Sequence, residues 1–220
     1  MNKKDYYSNK NVAVNYSSFR YSGRSGQYVN SREISTIKCL LQGSGCILDI
    51  PSGNGRLLSI FDSGHKVVGV DYSKEMLDNC NYKKRVLADA IKLPFKSNVF
   101  DTVLSIRFFF HYKDIFSFLE EFARVIKKDG IIIFETHKWS PRQFINIEKL
   151  GGKIYPSSKN SVQSILECLN LSIVEKKEIF LFSPFVYKYM PYFFIRILDN
   201  IEKILPRMFM VDVYWKVRKK

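Results

Sequence analysis

Three aspartates each close a short apolar run: Asp49 in CILDIPSGNGRL (46–57), Asp71 in GVDYS (69–73) and Asp89 in LADAIKLPF (87–95). Gly53 and Gly55 follow Asp49 in a turn that leads into a helix-like segment. Glycines at such a turn let the backbone approach a ligand closely, because no side chain obstructs it and positive φ is accessible. Asp71 lies 22 residues beyond Asp49, where a carboxylate can accept hydrogen bonds from both hydroxyls of a ribose. A fourth segment, SIRFFFHY (105–112), puts Arg107 and His111 just after another apolar run. An imidazole with an ordinary pKa of about 6.5 can take a proton from an acceptor hydroxyl. A lone histidine among aromatics is also a common packed residue, so both roles stay open for His111.

The elements that must position these groups alternate. Apolar runs CILDI (46–50), KVVGV (66–70), RVLAD (85–89), FDTVLSI (100–106) and GIIIFET (130–136) predict strands, with helices expected at 55–63, 74–81 and 114–127. In the last helix, Ile115, Phe118, Leu119, Phe122, Val125 and Ile126 recur at helical spacing, so one face must be buried. This order predicts an α/β fold built on a mostly parallel sheet with helices on both faces. Residues 29–42 suit a further helix, SIVEKKEIFLF reads as a sixth strand, and MFMVDVYWKVRKK reads as the seventh and last.

The segment 46–57 resembles motif I of class I S-adenosylmethionine-dependent methyltransferases, of the methyltransferase type 11 kind. Asp49, Gly53 and Gly55 match the motif, while Pro51 stands where its first glycine usually lies, removing an amide donor and fixing φ. The resemblance continues from Cys46 to Thr136, with four motifs in order. It implies a Rossmann-like seven-stranded sheet whose last strand is antiparallel, and S-adenosyl-L-methionine as the methyl donor. It further implies that Asp71 holds the ribose, that Tyr72 and Met76 lie against the adenine, and that Asp89 and Ala90 meet the adenine edge. Arg107, with Ile106, would approach the methionine moiety, and His111 would face the acceptor. Asp101, in the VFD opening of the fourth strand, is expected to be structural.

A nicotinamide-binding domain would also end its second strand in an acid, but it wants GxGxxG, and Leu58 stands three residues after Gly55. A non-catalytic binding protein on the same scaffold remains an alternative. The donor's sulfonium is already electrophilic, so catalysis requires chiefly alignment and exclusion of water, and the lack of a catalytic triad is no objection.

With 220 residues the chain is expected to form one domain, with 46–136 as its cofactor-binding core. Residues 1–28, rich in Tyr, Ser and Asn, suggest a loose arm or lid over the site, carrying Tyr16, Arg20, Tyr21 and Arg24. Residues 184–205 form an aromatic, helix-prone insertion before the last strand, expected to wall the acceptor pocket. From Ile179 to Ile195 the only charge is Lys188, which suits burial, or contact of 179–205 with a membrane surface and a lipid-like acceptor.

Cys39, Cys46, Cys80 and Cys168 form no CxxC pair, and His65 and His137 have no partner at ligand spacing, so no metal is expected. Scattered cysteines and a polar opening, MNKKDYYSNKNV, fit a reduced, cytoplasmic protein. The net charge is +14, of which residues 1–45 and 184–220 supply +10. Such an excess attracts nucleic acid, anionic lipid or a phosphorylated substrate, and is equally a solubility feature. No base-methylation motif of the NPPY kind follows the fourth strand, so an RNA or tRNA acceptor rests on charge alone.

Overall fold

The computed structural model describes residues 3–41, 43, 45–61, 64–147 and 152–220. Its centre is a seven-stranded sheet of order β3-β2-β1-β4-β5-β7-β6. The strands are β1 (Gly45–Asp49), β2 (His65–Asp71), β3 (Lys84–Leu87), β4 (Phe100–Ser105), β5 (Ile126–His137), β6 (Leu171–Ile179) and β7 (Asp212–Lys219). β7 inserts antiparallel between β5 and β6, and the pairings among β1 to β5 are parallel.

Successive side chains on a strand point to opposite faces, and here both faces are covered. Leu48, Val103 and Ile132 face one core, where Phe118, Leu119 and Phe122 of α5 (Phe116–Val125) and Val162 and Leu166 of α6 (Lys159–Cys168) pack on them. The next residue of each strand, or the one before, turns the other way. Ile47, Leu104 and Ile133 face a second core with Val29, Ile37 and Leu40 of α3 (Gly23–Leu40), Tyr187 of α7 (Pro184–Tyr189) and Ile195 of α8 (Tyr192–Ile204).

Asp101 has the structural role expected of it: its Oδ2 accepts from Cys46 N at 2.8 Å and its Oδ1 meets Lys127 Nζ at 2.8 Å, tying β4 to β1. Three expectations are corrected. Of the helix expected at 55–63, residues 62 and 63 lie outside the described residues and the rest gives only a 3-10 turn at Arg56–Ile60, because Phe61 leaves it in extended conformation. The helix expected at 74–81 is α4 (Lys74–Asp78), capped by the Ser73 side chain. The expected loose arm is helical, with α1 (Lys3–Tyr7) and α2 (Lys10–Tyr21) leading into α3, which starts six residues earlier than the 29–42 pattern suggests. Asn9 caps α2 by accepting from Asn11 N and Val12 N. The 184–205 insertion folds as α7, which opens on Pro184 after the N-cap Ser183, and α8, whose N-cap is Pro191, and the fixed φ of proline suits such helix starts.

Candidate active site

Ligand sites of open α/β sheets form outside the carboxyl ends of the strands. Here β1 ends at Asp49, passes a cis Ile50–Pro51 bond, and turns back so that Ser52 N donates to Val70 O of β2 at 2.8 Å. Gly53 then takes φ 54°, where no atom within 4 Å would meet an added Cβ, and its N–H donates to Asp71 Oδ2 at 2.8 Å. Asp71 Oδ1 accepts from Ser73 N at 2.9 Å. With the Tyr72 amide also acting on it, the carboxylate keeps part of its acceptor capacity on the cavity side.

Burial pushes the Asp71 pKa up to about 6 against the lowering effect of the Ser73 and Gly53 amides. Burial likewise raises Asp49 to about 7, opposed by the Tyr82 hydroxyl, which donates to Asp49 Oδ2 at 2.6 Å. Asp49 is 1% exposed and its Oδ1 has no hydrogen-bond partner among the described residues. Leaving a buried carboxylate oxygen unpaired is costly, so this atom is an unsatisfied acceptor on the crevice wall.

A cavity of about 1000 Å³, counted to its open mouth, gathers Asp49, Pro51, Gly53, Asp71, Tyr72, Met76, Asp89, Ala90, Arg107 and His111 along its walls. Sequence positions 49 to 111 thus converge on one space. Gly55 does not line it. Its φ of 78° starts the 3-10 turn, and an added Cβ would meet Cys80 Sγ at 3.1 Å, so its role is backbone fit against the chain after α4. Asp89 pairs with Lys92 in a one-residue bridge, and its side chain faces the same cavity as Tyr72.

The opposite wall was not legible in the motifs. Tyr7 of α1 and Tyr16 of α2 line the cavity, and the Tyr7 hydroxyl lies 3.2 Å from His111 Nε2. Ser73 Oγ donates to Tyr7 O at 2.9 Å and Asn54 Nδ2 donates to Ser17 Oγ at 2.7 Å, which hold the N-terminal helices over the mouth. Tyr7 and Tyr16 both belong to the segment 1–28 expected to cover the site, where Tyr16 but not Tyr7 was singled out.

Arg107 has φ 58°, an uncommon conformation that two acids support. Its N–H donates to Glu135 Oε2 at 3.1 Å, and its guanidinium makes a bidentate pair with Glu33, which is 0% exposed. Arg56 reaches the same Glu33 at 3.1 Å. Arg107 therefore lies on the cavity wall already paired to α3, an arrangement that no local pattern around Glu33 announced.

Beyond Arg107 lies a second cavity of about 610 Å³, which Arg107 shares with the first. Arg20, Arg142, Lys188 and His137 line it together with Phe19, Phe110 and Phe185. The 184–205 insertion reaches this second cavity through α7, and the described lining of the first cavity contains no residue from it. His137 stacks on Phe110 with centroids 4.4 Å apart and sets Nδ1 2.6 Å from Asp212 Oδ1. Burial disfavours its charged form, but Asp212 and Glu135 outweigh that and raise its pKa. The expectation that His137 lacks ligand-type neighbours is corrected: one ligand atom each of Glu135, His137 and Asp212 lie within 4.8 Å of one another. Asp212 is 75 positions away in sequence and arrives only because β7 pairs with β5 at His137↔Asp212.

A seven-stranded sheet with β7 reversed, and a crevice walled by acids at the ends of β1 and β2, are features of the class I S-adenosylmethionine-dependent methyltransferase fold. Residues 48–134 match the family described as Methyltransferase domain. It is similar to the uncharacterized protein MJ1252 of Methanocaldococcus jannaschii, 34% identical over 111 residues, covering 49% of this chain and 43% of that one. It is also similar to a tRNA (carboxymethyluridine(34)-5-O)-methyltransferase of Xenopus tropicalis, 24% identical over 166 residues, covering 71% of this chain and 26% of that one. The chain thus spans less than half the length of these curated relatives. Among solved structures, magnesium protoporphyrin IX methyltransferase from Synechocystis PCC 6803 with bound SAH superposes with a TM-score of 0.66 at 14% identity, over 99% of this chain and 97% of that one. At that identity the likeness concerns the fold.

The residues present fit the donor. The crevice offers the unpartnered Asp49 Oδ1, spare acceptor capacity on Asp71, and an open approach over Gly53, all suited to a cationic nucleoside.

Proposed function

We propose that this chain transfers the methyl group of S-adenosylmethionine to a small-molecule or lipid-like acceptor that enters beside Arg107 and His111. The observation that carries this reading is the single cavity joining Asp49, Asp71 and Asp89 to His111 beneath Tyr7. When bound, the donor supplies an electrophilic methyl on a sulfonium. Asp71 orients the ribose through its remaining acceptor capacity, and Asp49 accepts from the donor's polar end. Tyr72, Met76 and Ala90 pack on the base, with Asp89 at its edge. Tyr7 and Tyr16 exclude water from the reacting centre, so alignment can contribute roughly 7–11 kcal/mol to barrier reduction.

If the acceptor is a hydroxyl, His111 takes the proton, with Tyr7 Oη steering its Nε2. Calorimetric titration with S-adenosylmethionine, followed by tritiated-methyl transfer to panels of small polar, quinone-like and lipid-linked acceptors, tests the reading. Donor binding without transfer to any acceptor class would favour a non-catalytic binding protein on this scaffold.

A membrane-surface location of the acceptor is supported by α8 and the turn after it. Phe193 (67% exposed), Ile204 (81%), Met208 and Phe209 face solvent there beside Arg196, Lys203 and Arg207. Aromatic and basic residues together suit an anionic lipid interface. Among the described residues no helix is long and apolar enough to cross a membrane. Peripheral contact through 179–205 is therefore the form proposed, and sedimentation with anionic liposomes at low salt tests it. The free Cys39, Cys46, Cys80 and Cys168 support a cytoplasmic place of work. The basic ends alone support nucleic acid only weakly, and retention on RNA that vanishes with modest salt would not strengthen that reading.

A further inference from the structure

The second cavity concentrates positive charge to a degree that the donor site does not need. Arg20, Arg107, Arg142 and Lys188 line it, and no Asp or Glu is among its described lining residues. Glu33 lies behind Arg107 and is shared with Arg56, so its charge is already committed. Arg142 is a buried guanidinium whose Nη2 donates to Gly152 O at 2.7 Å. Lys188 Nζ is buried with no hydrogen-bond partner among the described residues, and lies 3.3 Å from the centre of the Phe19 ring.

An aromatic face offsets part of the cost of a buried ammonium, yet leaves its three donors unused. Burial together with Arg20 lowers the pKa of Lys188, and the same two causes pull Arg142 down to about 10. Arg20 thus opposes the charges of both Lys188 and Arg142, and an anion among them would offset that repulsion.

Phe19, Phe110, Phe185, Val29 and Ile154 supply apolar wall, with Ser140, Ser183 and His137 as the polar residues among them. Phe110 touches His111 with ring centroids 4.4 Å apart, and Arg107 borders both cavities. A molecule held by its anionic end among Arg20, Arg142 and Lys188 would extend an apolar body along Phe110 towards the donor.

We infer that this second cavity anchors an oxyanion, carboxylate or phosphate, carried on the apolar body of the methyl acceptor. The inference rests on the methyl-transfer reading for its word acceptor, but the anion site itself is read from Lys188, Arg142 and Arg20. Charge-assisted hydrogen bonds to an oxyanion are the strong kind, and a buried site amplifies them.

The test is binding, with no turnover required. Phenylacetate, phenyl phosphate and the neutral isostere 2-phenylacetamide are titrated calorimetrically into the full chain, free and loaded with S-adenosylhomocysteine. At least one anion should bind about tenfold or more tighter than the amide, a difference of about 1.4 kcal/mol. Preference between the two anions assigns carboxylate or phosphate. Lys188→Met and Arg142→Gln should each lower anion affinity about tenfold while leaving S-adenosylhomocysteine affinity unchanged. Lys188 sits on a partly exposed helix, so its variant keeps the test sound if Arg142→Gln fails to fold. Equal binding of amide and anions, no binding of either anion at millimolar concentration, or full anion affinity in Lys188→Met would each overturn the inference. Anion binding in a chain that does not take S-adenosylhomocysteine would instead leave the anion site standing and remove the methyl-transfer reading.

Discussion

The hydroxyl of Tyr7 and Nε2 of His111 lie 3.2 Å apart across 104 positions of sequence, so the first helix and the loop after β4 meet over the donor crevice. Tyr7 O also accepts from Ser73 Oγ, anchoring the same residue to the loop before α4. Tyr7→Phe removes one hydrogen bond worth about 0.5–1.5 kcal/mol. Donor affinity should fall by a factor of a few, and proteolysis in residues 8–22 should quicken. Unchanged affinity and unchanged cleavage would mean that α1 is not a cover.

Asp71 joins the glycine turn to the loop after β2, because Gly53 N and Ser73 N both donate to it. Asp71→Asn keeps the shape but loses the charge that strengthens these bonds and those to ligand hydroxyls. With hydrogen bonds to charged groups worth about 1.5–3 kcal/mol, donor affinity should drop about 10- to 100-fold by calorimetry. Equal affinity in a well-folded variant would remove Asp71 from the binding role.

Proton linkage should be measurable at the same site. Burial holds the carboxyl groups of Asp71 and Asp49 at about 6 and about 7, above their values in an unfolded chain. Between about pH 4 and 7 the folded apoprotein therefore retains protons that the unfolded chain has released, and these groups make stability fall as pH rises through that window. A cationic donor favours the ionised forms. Binding near pH 6.5 should release protons, read as a dependence of calorimetric heat on buffer ionisation enthalpy, and affinity should rise from pH 5.5 to 7.5 (roughly the window set by these two groups). Buffer-independent heats would contradict the assignment.

Glu33 neutralises two buried arginines, Arg56 and Arg107. Removing one partner of such a buried pair costs about 3–5 kcal/mol, because the remaining charge is stranded. Glu33→Gln should lower the urea midpoint accordingly and loosen the loop that carries Arg107 and His111. A midpoint within error of the parent would show that water or the arginines' own rearrangement satisfies the charge.

The order of apolar runs made the sheet legible, since strands buried on both faces read as continuous apolar segments: Ile47 and Leu48 serve opposite cores, as do Ile132 and Ile133. Asp49, Gly53, Asp71 and Asp89 were legible for a related reason. Each sits at a strand end or in the turn that follows, and parallel pairing brings such ends together. The N-terminal helices were not, because α2 carries little apolar periodicity and buries only Ala13. Its cap at Asn9 and its contacts with Ser73 and Asn54 through neighbouring residues are formed by polar groups that look alike in any exposed segment.

Sequence by itself thus determined the parallel part of the sheet and the crevice at its carboxyl edge, since local runs and strand-end residues encode them within about ninety positions (46–136). Tertiary structure alone decided how that crevice is covered and what flanks it. Glu33 beneath Arg107, Asp212 beside His137, and Arg20, Arg142 and Lys188 around one space are pairings across long stretches of chain. No spacing rule reports them, because the distance between two side chains in separate elements is set by how those elements pack, not by how far apart they lie along the backbone.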